Sequence, residues 1–388
     1  MKIAIVHYWL VQMRGGEKVV QSLLKLFPEA DIYTHVFDAN AVHMPLHGGE
    51  IKTSFISKLP GAKKHYQAYL PLMPMALEQL DLSQYDLVIS SESGPAKGII
   101  VRPDALHICY CHSPMRYIWD LKEVYSLSKG WQRTIAAPLL HYMRMWDVNS
   151  AARVDHFVAN SSFVAKRIEK YYRRDADVIF PPVDTDRIAC SHEHEDFYLV
   201  AGQLTEYKKA RLVIEAFNKN GRPLSVIGGG EQFQQLRAIA GPNVSVLGNQ
   251  PDDVLLSHMR RCKALIFPGI EDFGMVPVEA MAAGKPVLAY AAGGALDTVI
   301  DGVTGMFFFE QTSEAIDDVV NRFEGAIDQF DPRAISNHAQ TFSESRFLKD
   351  FLRLLTQKLN SRETSLTSSL NVRTLQTIRE RQLAHTGA

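Results

Sequence analysis

The chain has 388 residues, 46% of them hydrophobic, and its 42 Lys and Arg against 43 Asp and Glu give a formal net charge of -1. That length exceeds what one core organises, and the near-balance of charge excludes a general polyanion binder, so nucleic acid is not an expected partner. Four cysteines without a C-x-x-C spacing argue for a reducing compartment, and no apolar run approaches the roughly eighteen residues of a membrane span.

In chain order, residues 3–6 read as a first buried strand. Lys2 and the apolar stretch after it look like the start of a signal peptide, but no small-residue cleavage site follows, and the stretch runs into Arg14-Gly15-Gly16-Glu17. Gly15 and Gly16 let backbone approach an anion at the start of a helix whose apolar residues are Val19, Val20, Leu23, Leu24 and Phe27; the plainer reading is a tight turn. Residues 58–74 mix Lys58, Lys63 and Lys64 with Tyr66 and Tyr69. Such a mixture suits an anionic lipid surface or a lipid diphosphate, and equally a core helix with a wet basic edge. Strands are expected at 87–90, 106–111, 156–159 and 178–179, a βαβ series that implies a parallel sheet. His112 follows the second of these, at a strand's carboxyl end before a Ser-Pro turn, where it can donate to a sugar hydroxyl or a leaving phosphate.

The stiff step Pro181-Pro182-Val183-Asp184 is the expected interdomain linker. A second series follows, with strands at 198–200, 224–227, 245–247, 264–267, 287–290 and 306–309. Gln203, Lys208, Lys209 and Arg211 lie between its first strand and the next helix, and Gly228-Gly229-Gly230 forms a turn after its second strand without making a G-x-G-x-x-G fingerprint. The strings Asp175-Ala-Asp177 and Asp184-Thr-Asp186 look like a D-x-D metal motif but fall in a polar loop and in the linker, so no catalytic metal is expected.

The most informative segment is Phe267-Pro-Gly-Ile-Glu-Asp-Phe-Gly-Met-Val-Pro-Val-Glu-Ala-Met-Ala-Ala-Gly-Lys-Pro286. It reads as strand, loop, helix and strand, with Pro277 in the helix's first turn and Gly284 at its end. Glu271 then falls in the loop after a strand's carboxyl end and Glu279 on the first helical turn, facing the crevice where open α/β sheets bind ligands. Between them Gly274, Met275 and Val276 present backbone N–H groups to an oxyanion or to sugar hydroxyls.

With Gly293-Gly294 and the run 301–305 behind it, this segment resembles the E-x7-E signature of retaining glycosyltransferases of family four, and the likeness extends over residues 1–355. The resemblance implies an α/β protein of the GT-B fold, two Rossmann-like domains facing across a cleft. It implies that Glu271 holds donor-sugar hydroxyls, that Glu279 holds the nucleotide ribose, and that Lys208 holds the departing diphosphate, with Lys209 or Arg211 in support. Gly15 and Gly16 match the loop beside the donor phosphates, Gly229 the loop near the nucleotide and His112 the cleft histidine. Where the family places an arginine this chain has Gln203, which can donate hydrogen bonds but carries no charge. Arg116, Tyr117 and Trp119 resemble a branch containing bacterial polysaccharide mannosyltransferases.

The expected organisation is an acceptor-side domain at 1–180, a nucleotide-sugar domain at 181–342, a helix at 343–360 that crosses back to the first domain, and a disordered tail at 361–388. The expected activity is transfer of mannose from GDP-mannose to a lipid-linked saccharide in surface polysaccharide assembly, in the cytoplasm or peripherally on anionic membrane. A UDP-sugar or dTDP-rhamnose donor, a nucleotide-sugar epimerase and a non-catalytic saccharide-binding protein are the alternatives.

Overall fold

The computed structural model describes residues 1–120 and 131–365. The chain forms two compact units, Met1–Pro182 together with the segment from Phe347, and Val183–Arg346.

Among the described residues, the first unit is built on seven strands: β1 (Ile3–His7), β2 (Asp31–Thr34), β3 (Ile51–Thr53), β4 (Leu87–Glu92), β5 (Leu106–Cys111), β6 (His156–Ala159) and β7 (Ala176–Val178). They lie in the order β3-β2-β1-β4-β5-β6-β7, and every neighbouring pair is parallel. Strands buried on both faces favour apolar runs, and β4 and β5 are buried at every position, although β4 is apolar only over residues 87–89 and ends on the buried polar Ser90, Ser91 and Glu92. The expected strands correspond to β1 and β4–β6, while β7 lies two residues earlier than the strand expected at 178–179 and shares only Val178 with it. β2 and β3 were not expected, because one is four residues long with an acid at its start and the other is three residues at the sheet edge.

The second unit repeats the scheme with β8 (Tyr198–Ala201), β9 (Leu224–Ile227), β10 (Val244–Gly248), β11 (Leu265–Phe267), β12 (Val287–Tyr290) and β13 (Gly305–Phe308), in the parallel order β10-β9-β8-β11-β12-β13. In each sheet the first strand in sequence lies inside, and the chain winds away from it in both directions. That reversal leaves a crevice beyond the carboxyl ends of β1 and β4 in one unit and of β8 and β11 in the other.

The last helix, Glu344–Ser365, buries Phe347, Phe351, Leu354 and Leu355 among Ile5, Ile89 and Ile108 of the first sheet, with the Phe347 ring 5.7 Å from Tyr110. The helix continues past residue 361, where a disordered tail was expected, and the remainder of that tail, 366–388, lies outside the described residues.

Candidate active site

In the second unit, the loop after β8 turns at Gly202, whose φ of +125° only glycine adopts readily, and runs to a short turn of helix, Glu206–Lys208. Lys208 Nζ lies 2.8 Å from Glu271 Oε1, with both side chains mostly buried. Glycines make the approach possible. A Cβ on Gly202 would stand 3.3 Å from Lys208 Nζ, and one on Gly269 would be 2.9 Å from Lys208 Cα. The Glu271 carbonyl accepts the Gly294 N–H at 2.9 Å, and a Cβ on Gly293 would sit 2.4 Å from that oxygen, so Gly293-Gly294 packs down onto the Glu271 loop and fixes it.

Gly274, at φ +89°, leads into the helix Met275–Ala282. The helix begins two residues before Pro277, so Glu279 is its fifth residue and stands in the second turn rather than the first. Met275 and Val276 keep their N–H groups at the helix start. Gly228 and Gly230 are explained by packing: Cβ atoms there would meet the Gly202 oxygen at 1.8 Å and the Leu204 oxygen at 2.4 Å, while the Gly229 carbonyl accepts Leu204 N–H at 2.8 Å. Gln203 is exposed on the same loop. Lys209 pairs with Glu206 at 3.5 Å and Arg211 with Glu215 at 2.7 Å, which leaves Lys208 as the cation set against Glu271.

In the first unit, Gly15 and Gly16 open the helix Gly15–Leu26, and the Glu17 carboxylate accepts the Arg14 N–H at 3.0 Å. A Cβ on Gly16 would meet Tyr8 Oη at 2.9 Å, His7 Cε1 at 3.3 Å and His112 Nε2 at 3.6 Å. The bare glycine therefore lets the helix N-terminus close on Tyr8 and His7, with His112 in ordinary contact beside them. His112 Nε2 is 2.8 Å from Ser91 Oγ, which is 3.0 Å from His7 Nδ1. Burial, then the neighbouring His7, push the His112 imidazole down to about 3, so the ring is neutral at pH 7.

The sequence reading missed His7 and Ser91. The available signal was their position, the last residue of β1 and the penultimate residue of β4, on the two strands flanking the crevice. It also missed the support beneath His112, whose N–H donates to the Glu92 carbonyl at 2.7 Å. The Glu92 carboxylate is buried against Lys97 at 2.8 Å, and Lys97 also pairs with buried Asp147. Trp119 Nε1 and Tyr172 Oη donate to Asp147 at 2.8 and 2.9 Å.

A pocket of about 560 Å³ in this unit is lined by Tyr8, Trp9, Arg14, Glu17, Tyr66 and Tyr117 among others. Tyr66 thus belongs to it, with its ring 4.7 Å from Trp9. Tyr69 instead braces its own loop by donating to the Pro60 carbonyl at 2.6 Å. Lys58, Lys63 and Lys64 are exposed outside the pocket lining, and Lys63 pairs with Asp38 at 3.3 Å. Arg116 opens the short helix Arg116–Trp119 and is half-buried. Of the D-x-D strings, Asp177 pairs with Lys358 at 3.0 Å and Asp184 with Arg187 at 3.7 Å. Among the described residues no group of three His, Cys, Asp or Glu side chains is arranged to hold a metal.

Two family profiles match the chain, Glycosyltransferase Family 4 over residues 13–187 and Glycosyl transferases group 1 over residues 184–329. The chain belongs to glycosyltransferase family four. Within the family it is 29% identical over 157 residues to an uncharacterized glycosyltransferase, MJ1178, of Methanocaldococcus jannaschii, a match covering 39% of this chain and 44% of that protein. To the alpha-1,3/1,6-mannosyltransferase ALG2 of Saccharomyces cerevisiae it is 24% identical over 298 residues, 61% of this chain and 56% of the relative. The chain thus spans about half the length of these curated relatives. Anabaena HepE, solved in complex with UDP, superimposes with a TM-score of 0.67 at 18% identity over 92% of this chain and 100% of that one. This family-four chain therefore has the GT-B fold, two Rossmann-like α/β units.

Proposed function

We propose that the protein is a retaining glycosyltransferase that moves mannose from GDP-mannose to a lipid-linked saccharide acceptor. The observation that carries the reading is the Lys208–Glu271 pair, 2.8 Å apart at the carboxyl ends of the two strands that flank the crevice. Without a donor the ammonium offsets the carboxylate. When the diphosphate arrives it draws Lys208 away, and the Glu271 oxygens are released to accept hydrogen bonds from the sugar hydroxyls. In transfer the bond from the anomeric carbon to the diphosphate oxygen breaks, a bond to the acceptor hydroxyl oxygen forms, and the hydroxyl proton leaves with the diphosphate. The charge gathering on the leaving group is met by Lys208 and by the N–H groups at Met275 and Val276, fixed donors that do the work a metal does elsewhere. Glu279, one turn further along the same helix, is the candidate for the nucleotide ribose.

Mannose is favoured by the relatedness to ALG2, named as a mannosyltransferase, and by the Arg116-Tyr117-Ile118-Trp119 run. UDP-glucose is the competing donor, since HepE was solved with it. The test is to incubate the pure protein with GDP-mannose, UDP-glucose and dTDP-rhamnose, with and without excess EDTA. GDP release from GDP-mannose alone, unaffected by chelator, is the expected result. Release of UDP instead overturns the mannose reading, an altered sugar with no free nucleoside diphosphate indicates an epimerase, and loss with EDTA restored by manganese overturns metal independence. A donor left intact throughout would mark a binding protein.

The acceptor side is assigned to the first unit, where the aromatic pocket and the exposed Lys58, Lys63 and Lys64 lie. Among the described residues no helix is long and apolar enough to cross a membrane; the lipid contact proposed here is one at the membrane surface, made by the exposed lysines. Near an anionic surface each lysine contributes about 1 kcal/mol, a term that salt erodes. Changing all three lysines to Glu should reduce flotation with anionic vesicles and transfer to a lipid-linked acceptor. If both are unchanged, the segment is scaffold.

A further inference from the structure

His112 has two ring nitrogens, and the surrounding protein decides which of them is offered to a ligand. We propose that Glu17, His7 and Ser91 form a chain of contacts that holds His112 in its Nε2–H tautomer, leaving the Nδ1 lone pair to accept a hydrogen bond from a hydroxyl. That the hydroxyl is a substrate's rests on the function proposed above; the tautomer does not.

His7 is fully buried, and its Nε2, which has no hydrogen-bond partner, faces the buried carboxylate of Glu17 at 3.7 Å. Glu17 is oriented by its other oxygen, which accepts the Arg14 N–H. A bare imidazole lone pair aimed at a carboxylate oxygen is repulsive, whereas an N–H aimed there is attractive, so Nε2 carries the proton. In a neutral His7 the proton on Nε2 leaves Nδ1 as an acceptor. The Ser91 hydroxyl, 3.0 Å away, then donates to it. A hydroxyl has a single proton to give, so towards His112 Nε2, at 2.8 Å, Ser91 can only accept. His112 Nε2 must therefore be the N–H. Its Nδ1 is the remaining nitrogen and has no protein partner among the described residues.

The sense of the chain is opposite to the role expected for His112 from sequence, that of a donor to sugar hydroxyl or phosphate. A neutral ring whose N–H is already committed to Ser91 serves as an acceptor. Gly16 packs against the arrangement, since a Cβ there would press on Tyr8 Oη at 2.9 Å and on His7 Cε1 at 3.3 Å while standing in ordinary contact with His112 Nε2 at 3.6 Å. His7, Ser91 and Glu17 are then positioning residues that act through His112.

Nitrogen-15 labelling of the 14 histidines in the full chain, with long-range proton–nitrogen correlation at pH 8, reads the tautomers directly, and His112→Gln identifies the His112 signals. The expected spectrum has His112 Nε2 protonated and Nδ1 bare, and His7 in the same form. Ser91→Ala should collapse the preference so that the two His112 nitrogens move towards a common average shift. Ser91→Thr, which keeps the hydroxyl, should restore it, and Glu17→Gln should broaden the His7 signals first. A wild-type spectrum with His112 protonated at Nδ1, or with His7 protonated at both nitrogens and driving Ser91 the other way, overturns the proposal. So does an unchanged His112 tautomer in a folded Ser91→Ala protein. Because no turnover is needed, a protein with this tautomer and no transferase activity would count against the proposed function and leave the relay standing.

Discussion

Glu271→Gln will abolish transfer while the protein stays folded, and Lys208→Ala will lower kcat/KM by about 10²–10³-fold, the loss of roughly 2.7–4 kcal/mol that accompanies removal of one preorganised donor. Both effects trace to the 2.8 Å pair. Stability should register both changes less than activity does, because at 17% and 20% exposure the pair keeps some contact with solvent and a partner left alone is not stranded in a dry core. Activity should register both. An amide at 271 keeps one acceptor oxygen but turns the other into a donor, so it cannot receive two sugar hydroxyls, and it no longer holds Lys208 in place between turnovers. Since the two side chains act on one donor, Lys208→Ala with Glu271→Gln should cost less than the sum of the single losses. Steady-state kinetics on the four proteins and thermal melts on the same samples make the measurement. Full turnover in folded Glu271→Gln would remove this residue from the site, and strictly additive losses would mean that the two side chains serve different steps.

What could be read in the sequence followed from local rules. Residues 87–89 of β4, most of β5 and β12 announce themselves as short apolar runs because a doubly covered parallel strand has few positions open to water. The loop around Glu271 was legible because its glycines stand where backbone must pass close to backbone, and Gly293-Gly294 against Glu271 shows why the motif needs them. Pairings distant in sequence were not legible. His7 meets Ser91 across 84 positions and Lys97 meets Asp147 across 50, and nothing within a helix or strand period connects such residues. The pocket wall was legible only in part, since Tyr66 stands out among the lysines near residue 60 whereas Trp9, which lines the pocket with it, lies 57 positions away behind the first strand.

Lys97→Met should be the most destabilising single change in the first unit, by about 3–5 kcal/mol, the usual result of removing one partner from a buried ion pair. Lys97, Glu92 and Asp147 have no side-chain exposure, so no water compensates what is lost. Burial opposes the Lys97 charge, but Asp147 and Glu92 outweigh it and hold the ammonium above its ordinary range. Burial also raises the Glu92 carboxyl, against the pull of Lys97, so removal of the lysine leaves Glu92 with burial and Asp147 both favouring protonation. A neutral Glu92 loses its acceptor strength towards the N–H groups of Ala96 and Lys97. The strain then passes to the site, because the Glu92 carbonyl holds the His112 N–H. Urea unfolding of Lys97→Met, and of a triple variant that also carries Glu92→Gln and Asp147→Asn, separates charge from packing. The triple variant should recover a large part of the loss, since a neutral trio strands no buried charge. A loss below about 1 kcal/mol in the single variant would mean that the two acids already share a proton and the lysine is expendable. Equal losses in both variants would place the stabilisation in the ammonium set over the Tyr172 ring, whose centre lies 4.6 Å from Nζ, rather than in the two ion pairs.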